Sequence, residues 1–272
     1  MSEPAIAPKR VRVHHLRQMK AAGQPIAMLT AYDALTAAIF DEAGIDVLLV
    51  GDSMGDNLMG YATTLPVTVE ELLPHVRAVA DRGGRPLVVA DLPFGSYEVS
   101  PEQAVTTAVR FLKEGRAHAV KFEGGARVLP QVRAVTGAGI AFMGHLGYTP
   151  QSVHSLGGPR VQGRGDAGDR LLADALALQE AGAFAIVLEV VPAPLAQRVS
   201  EALEIPTIGI GAGAGCDGQV LVWTDVAGLT PRMPKLAKAY ADVRGALLGA
   251  AREYAAEVRA RAFPAEEHTH PE

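Results

Sequence analysis

The sequence lacks the marks of several protein classes. Its 272 residues include one cysteine, Cys216, which excludes a disulfide framework and any cysteine-rich zinc site. No stretch approaches the ~20 apolar residues of a membrane-spanning helix, and the opening residues MSEPAIAPKRVRVHH contain no apolar signal segment. The formal net charge is -5, so electrostatic attraction does not favour binding to nucleic acid or to an anionic membrane. We therefore expect a cytoplasmic protein that contacts neither nucleic acid nor membranes.

The chain does have the apolar content and the length of one large domain. Hydrophobic residues make up 49% of it, and undivided α/β barrels commonly run to about 250 residues. We predict a single domain over 1–272, with flexible stretches at 1–10 and 264–272.

A short pattern occurs four times: a glycine, an apolar-rich strand and then an acid. The copies span 44–52, 83–91, 115–123 and 182–189, and they end at Asp52, Asp91, Glu123 and Glu189. A helix that is stopped by glycine and followed by a buried strand is half of a βαβ unit. An acid at the carboxyl end of such a strand lies where parallel α/β enzymes keep their active sites.

Eight segments read as strands, and most intervals between them have a helical pattern. The strand candidates are 26–32, 47–53, 86–94, 119–124, 140–146, 184–191, 207–210 and 219–223. Runs such as VLLV, LVVA and AIVL are continuously apolar, which predicts strands buried on both faces of a parallel sheet. Eight strand–helix units favour an α/β fold of the (β/α)8 TIM-barrel type over an open doubly wound sheet. We expect an N-terminal helix at 11–22 and, from the pattern of 236–262, two extra C-terminal helices.

The four strand-end acids have two interpretations. Each could cap a helix or pair with a basic residue, or the four could converge around a cation. Because an unpaired buried carboxylate is costly, acids reached through apolar strands must be paired or coordinate a metal. Oxygen ligands without a His or Cys cluster point to Mg²⁺ rather than zinc.

Three further polar side chains lie at strand ends, and each has a structural alternative. Lys121 shares a strand face with Glu123, so it could form an internal salt bridge or offset the charge of an anionic substrate or an enolate. His145, at the end of the fifth strand, could be structural or part of a site. Ser53 could serve a cap or turn, or donate to a ligand carboxylate.

The segment GIGAGAG at 209–215 invites comparison with nucleotide-binding loops, but it does not fit G-x-G-x-x-G. At the end of the seventh strand of a barrel it could cradle an anion or make room for a bulky ligand. We interpret Cys216 as a small buried apolar residue.

In these motifs the chain closely resembles the ketopantoate hydroxymethyltransferase family. The similarity runs from roughly residue 28 to residue 240, in ordered blocks that are far more specific than any one motif. The blocks are MLTAYDA, VGDSMG, TLPVT, DLPFGSY, VKFEGG, GHLGYTPQS, VLEVVP, PTIGIGAG, CDGQVLV and PRMPK. The resemblance implies a (β/α)8 barrel related to the phosphoenolpyruvate mutase and isocitrate lyase group, assembled as a homo-oligomer, a decamer.

The resemblance also implies a role for each strand-end residue. Asp52 and Asp91 would bind Mg²⁺ directly, and Glu123 would do so through water. Glu189 would be the catalytic base. The residues that would contact a bound 2-oxo acid are Asp52, Ser53, Asp91, Lys121 and His145.

The implied reaction transfers a hydroxymethyl group from 5,10-methylenetetrahydrofolate to 3-methyl-2-oxobutanoate, giving 2-dehydropantoate for pantothenate biosynthesis. Chelation of the 2-oxo acid by Mg²⁺ would acidify its C3 proton, which Glu189 would remove to give an enolate. Two alternatives stay open. One is a Mg²⁺-dependent C–C lyase or mutase acting on a 2-oxo acid, and the other is a phosphate-binding barrel that uses the GIGAGAG segment.

Overall fold

The eight strand candidates form a closed parallel barrel. The computed structural model describes residue 6 and residues 8–270, and its strands pair in chain order, with the eighth returning to the first. The strands are β1 Ile26–Thr30, β2 Val47–Val50, β3 Leu87–Asp91, β4 Ala119–Glu123, β5 Phe142–Gly147, β6 Ala185–Glu189, β7 Thr207–Ile210 and β8 Gly218–Leu221. The predicted (β/α)8 fold is confirmed.

Helices occupy most intervals between the strands. They are α1 Val13–Ala21, α2 Ala34–Glu42, α3 Met54–Asn57, α4 Val69–Arg82, α5 Pro101–Lys113, α6 Leu129–Gly137, α7 Val153–Leu156, α8 Ala167–Glu180, α9 Ala193–Ala202, α10 Trp223–Val226 and α11 Val243–Ala260. Three single turns of 3₁₀ helix add Ala126–Val128, Pro150–Ser152 and Glu266–His268. Within the described residues, no helix has both the length and the apolar character needed to cross a membrane.

Local sequence chemistry fixes where α4 and α5 begin. The Ser100 hydroxyl accepts a hydrogen bond from the Gln103 amide ahead of α5, whose first residue is Pro101. At α4, Thr68 and Glu71 form a reciprocal capping box. Such a side chain satisfies an amide that the helix itself leaves unpaired, and its loss costs about 1 kcal/mol.

The barrel interior changes from apolar to charged along β3, β4, β5 and β6. Val89, Ala119, Met143 and Val187 belong to one buried apolar cluster inside the barrel. Because strand side chains alternate between faces, the residue two positions further on projects to the same interior. The residues two positions after these four are all titratable: Asp91, Lys121, His145 and Glu189. The carboxyl ends of neighbouring strands thus place polar groups around one mouth.

The opposite, amino-terminal end of the barrel is closed by α1. Leu16 and Met19 are fully buried in the same cluster as the inward-facing strand residues. Lys20 pairs with Asp217 at 3.0 Å and donates to the carbonyl of Ser200, which fixes the helix to the barrel. The N-terminal helix predicted at 11–22 is confirmed, with slightly shorter bounds.

Residues from Trp223 onward form a second compact unit. Extra C-terminal helices are present, but the expectation of two helices within 236–262 is wrong. Only α11 lies in that stretch, and it begins at Val243 because the Asp242 side chain accepts a hydrogen bond from the Gly245 amide. The expected flexible ends fall partly on residues 1–5, 7, 271 and 272, which lie outside the described residues. The single domain over 1–272 stays a prediction.

His118 links two strands through its ring. Its Nδ1 atom accepts a 2.9 Å hydrogen bond from the Val88 amide, and its own amide donates to the Val88 carbonyl. Burial, together with the nearby Arg10 guanidinium, lowers the pKa of His118 to about 4. The folded protein therefore keeps this imidazole neutral under mildly acidic conditions.

We predict that His118 makes the fold acid-sensitive. Between about pH 6.5 and about pH 4 the unfolded chain binds a proton at His118 that the folded chain does not, so the free energy of unfolding falls as pH falls. In urea titrations, the stability advantage of the wild type over His118→Gln should shrink across this window. An advantage that is constant with pH would contradict the assignment.

Candidate active site

The carboxyl-terminal mouth of the barrel contains a cavity of about 230 Å³ that is lined by charged and by apolar side chains. All the residues predicted for the site line it: Asp52, Ser53, Asp91, Lys121, Glu123, His145 and Glu189. Except for Ser53 and Glu189, these side chains are almost fully buried. The structure therefore brings the predicted residues together, while their individual roles stay predictions.

Lys121 and Asp91 form a buried ion pair in this cavity. The Lys121 Nζ atom lies 2.6 Å from Asp91 Oδ1, and the two residues are direct neighbours across β3 and β4. Burial alone would lower the pKa of Lys121, but Asp91 and Glu123 outweigh it and raise that pKa. This geometry confirms the internal salt bridge, and the functional interpretation stays a prediction because Lys121 also lines the cavity.

His145 lies between two carboxylates. Its Nδ1 atom is 3.5 Å from Glu123 Oε1 and 3.4 Å from Lys121 Nζ, and its Nε2 atom is 3.2 Å from Glu189 Oε2. Burial and Lys121 lower its pKa, but the contacts with Glu123 and Glu189 outweigh them and raise the pKa to about 9. The imidazole is therefore positively charged at neutral pH.

The cavity holds more acids than bases. Apart from the exposed Asp56, the four acids Asp52, Asp91, Glu123 and Glu189 face the cations of Lys121 and His145, which leaves an excess of two carboxyl groups. Burial and then repulsion from Asp91 and Glu123 raise the pKa of Asp52 well above its ordinary value. An excess of carboxyl groups in a buried site favours the binding of a divalent cation, because the cation offsets their mutual repulsion.

The donor set fits Mg²⁺ better than a softer metal. In the described part of the chain, no group of three or more His, Cys, Asp and Glu side chains is arranged as a metal site. Mg²⁺ usually takes one or two carboxylates and keeps several waters, which Asp52 and Asp91 could satisfy. A Cβ atom at Gly51 would lie 2.8 Å from Asp91 Oδ2, so glycine is needed there for that oxygen to keep its place.

Ser53 presents its hydroxyl to the cavity instead of capping a helix. It precedes α3, yet its side chain makes no cap hydrogen bond. Its Oγ atom lies 2.9 Å from the hydroxyl of Tyr32, which is fully buried. The capping interpretation of Ser53 is therefore wrong, and a ligand contact remains open to it.

The glycine segment is explained by close packing. A Cβ atom at Gly213 would lie 2.5 Å from the Cβ of Ala193, and one at Gly215 would lie 2.8 Å from the Cβ of Gln197. Both partners belong to α9, so these glycines let the β7–β8 loop pack on that helix. Cys216 is half-buried in the same loop and does not line the cavity.

Comparison with known proteins agrees with the motif pattern. The sequence profile of the ketopantoate hydroxymethyltransferase family matches residues 10–266. The chain belongs to this family. A 3-methyl-2-oxobutanoate hydroxymethyltransferase of a Nocardioides species is 61% identical over 96% of this chain and 89% of its own length. The enzyme of the same name from Acidothermus cellulolyticus is 60% identical over 99% of this chain and its own full length, 100%.

Solved structures share the fold at much lower identity. Phosphonopyruvate hydrolase in complex with oxalate and Mg²⁺ matches with a TM-score of 0.61 and 13% identity, covering 96% of this chain and 92% of its own. A 2,3-dimethylmalate lyase of the PEP mutase/isocitrate lyase superfamily matches with a TM-score of 0.59 and 16% identity, covering 95% and 92%. These similarities establish the barrel architecture alone.

Several cavity residues were missed in the sequence. Tyr148, Asp56 and Thr64 also line the cavity, and the buried Gln151 contacts Asp52 and Glu123 from just outside it. Gln151 lies in the block GHLGYTPQS, six residues after His145. Its position in that block was the only signal in the sequence. The search for residues at strand ends could not find it, because Gln151 lies in a turn beyond the strand.

The residue after Glu189 has an unusual backbone. Val190 has φ +50°, in the left-handed region that β-branched residues avoid. The chain on both sides is fixed, because the Glu189 carbonyl accepts from the Tyr148 amide at 2.7 Å and the Val190 amide donates to the Ile210 carbonyl at 2.9 Å. Strain held in this way is typical of functional sites.

We predict that Val190 reverses the usual order of stability between alanine and glycine. The free energy of unfolding of Val190→Gly should be about 1 kcal/mol higher than that of Val190→Ala, because only glycine relieves the left-handed strain. At Val109, in the helix α5, the order should be the usual one, with Val109→Ala more stable than Val109→Gly by about 1 kcal/mol. Denaturant unfolding of the four variants checks this, and the same order at both positions would disprove strain at Val190.

Proposed function

We propose that this protein transfers the one-carbon unit of 5,10-methylenetetrahydrofolate to 3-methyl-2-oxobutanoate, giving 2-dehydropantoate for pantothenate biosynthesis. Membership of the family and its closely similar hydroxymethyltransferases support the reaction class. The observation that carries the proposal is the arrangement across the mouth. Asp52 follows β2 and Glu189 ends β6, four strands apart in a closed barrel of eight, so an acid faces the Asp52–Asp91 side from the opposite wall.

This arrangement suits a small 2-oxo acid. Asp52 and Asp91 would hold Mg²⁺, and Glu123 would contact it through water. When bound, Mg²⁺ would supply Lewis-acid polarisation of the carboxylate and ketone oxygens of the substrate. The C3 end of the substrate would then point across the mouth toward Glu189.

The protein's own groups would carry out the proton transfer. Glu189 would accept the proton from C3, which is acidic because it is adjacent to the ketone. The negative charge that develops on the ketone oxygen would be offset by the buried cations Lys121 and His145. The raised pKa of His145, about 9, keeps that second cation charged at neutral pH.

The reaction balances with water as the third reactant. The electron pair left at C3 forms the new C–C bond to the one-carbon unit of the folate. Water supplies the hydroxyl oxygen, and both C–N bonds between the one-carbon unit and the folate break. The two nitrogens take up the proton removed from C3 and one proton of the water, so that tetrahydrofolate leaves. The products of one oxo acid, one methylenetetrahydrofolate and one water are thus 2-dehydropantoate and tetrahydrofolate. We expect the enzyme to act as a homo-oligomer, a decamer, in line with the resemblance described above.

Exchange of the C3 proton tests this proposal without the folate chemistry. In D₂O with Mg²⁺, the wild type should exchange the C3 proton of 3-methyl-2-oxobutanoate, as followed by proton NMR. Glu189→Gln should slow that exchange by about 10²- to 10⁴-fold, the usual contribution of a positioned base.

Glu201→Gln is the matched control for this experiment. Glu201 is an exposed acid on α9 that contacts Gln197 and does not line the cavity, so its loss should leave exchange unchanged. Exchange that survives in Glu189→Gln would remove Glu189 as the base. Absence of exchange in the wild type, with and without tetrahydrofolate, would overturn the proposed reaction.

A further inference from the structure

Gln151 is a buried amide whose nitrogen and oxygen are both hydrogen-bonded. It lies in the turn Pro150–Ser152 after β5 and is 5% exposed. Its Nε2 atom donates to Asp52 Oδ2 at 2.9 Å and to the Leu92 carbonyl at 3.0 Å. Its Oε1 atom accepts from the Tyr97 hydroxyl at 2.6 Å, so both amide hydrogens and the carbonyl oxygen have partners.

Gln151 also contacts a second acid of the cavity through its backbone. Its amide donates to Glu123 Oε2 at 3.1 Å. One residue therefore holds one oxygen each of Asp52 and Glu123, together with the end of β3 at Leu92. These contacts join the ends of three neighbouring strands, β2, β3 and β4, to the turn after β5.

The Tyr97 hydroxyl helps to orient the amide of Gln151. It donates to Gln151 Oε1 at 2.6 Å, a much shorter contact than the one to its alternative acceptor, the Glu123 carbonyl at 3.3 Å, and it accepts from the Glu123 amide at 3.3 Å. Tyr97 is fully buried and its ring packs on Phe122 with centroids 4.8 Å apart. A reversed amide would place its oxygen against the Asp52 carboxylate and the Leu92 carbonyl, which also accept hydrogen bonds.

We propose that Gln151 is a positioning residue that fixes the Asp52 and Glu123 carboxylates for a divalent cation, and that Tyr97 acts through it. The inference rests on the metal requirement of the proposed function. The hydrogen bond to Asp52 Oδ2 fixes the orientation of that carboxylate, and Gln151 makes no hydrogen bond to Oδ1. The backbone contact likewise occupies Glu123 Oε2 and leaves Oε1 toward His145.

A purely structural role would make a different prediction. If Gln151 only tied loops together, its loss would lower stability and leave the affinity for a cation unchanged in the folded protein. A partner that orients a metal ligand typically changes metal affinity by about 10- to 100-fold when removed. Metal affinity measured beside the melting temperature therefore separates the two roles.

The test measures Mn²⁺ binding to the full chain by the loss of the free Mn²⁺ signal in electron paramagnetic resonance. Gln151→Met keeps the length of the side chain and removes its donors, and it should weaken binding by about 10- to 100-fold. Tyr97→Phe removes only the hydroxyl and should weaken binding less. The double variant should bind Mn²⁺ no more weakly than Gln151→Met alone, because Tyr97 acts through Gln151.

Gln131→Met is the matched control. Gln131 is a glutamine of similar burial, 7% exposed, on α6 and away from the cavity. Its variant should bind Mn²⁺ like the wild type, whatever its melting temperature. If Gln151→Met does not fold, Tyr97→Phe carries the test with the same expected direction.

The outcomes separate this inference from the proposed reaction. Unchanged Mn²⁺ affinity in folded Gln151→Met and Tyr97→Phe overturns the positioning role, even if the wild type exchanges the C3 proton. Weakened affinity with no exchange in the wild type supports the positioning role and overturns the reaction. Additive losses in the double variant overturn the claim that Tyr97 acts through Gln151. A wild type that binds no Mn²⁺ overturns both proposals.

Discussion

The structure depends on keeping an excess of carboxylates together in a buried cavity. Four buried or partly buried acids face two cations there, and burial together with repulsion from Asp91 and Glu123 raises the pKa of Asp52. Such a cluster is unfavourable by itself, because burial penalises every charge that is not paired. The ion pair of Lys121 with Asp91 and the charged His145 between Glu123 and Glu189 offset part of that cost. A divalent cation would balance the remainder.

The barrel makes this concentration of charge possible. Each contributing strand is apolar along its length, and the fully buried interior formed by residues such as Val89 and Met143 supports the charged end. Burying one such side chain contributes roughly 1.5–3 kcal/mol. Because all eight strands run parallel, their carboxyl ends meet at one mouth, where residues far apart in sequence become neighbours. The apolar residues along each of these strands thus contribute stability, and the residues at its carboxyl end form the candidate site.

Much of this could be predicted from the sequence, for physical reasons. A glycine, a buried strand and a terminal acid recur because each βα unit has the same construction, so the strands and the acids at their ends were found together. Side-chain alternation placed Lys121 with Glu123 on one face. The start of α11 was missed because the residues before Asp242 have helical character, and the Asp242 cap decides the boundary. Gln151 and Tyr97 were missed because their contacts join loops with no regular spacing.

In the proposed function, the excess of acids at the barrel mouth binds a divalent cation beside a 2-oxo acid. The most direct measurement is a crystal structure with Mn²⁺ and 3-methyl-2-oxobutanoate, with the metal located by its anomalous scattering. We predict one strong peak in contact with Asp52 and Asp91, with the substrate between it and Glu189. A peak elsewhere, or a substrate bound without metal, would contradict the account.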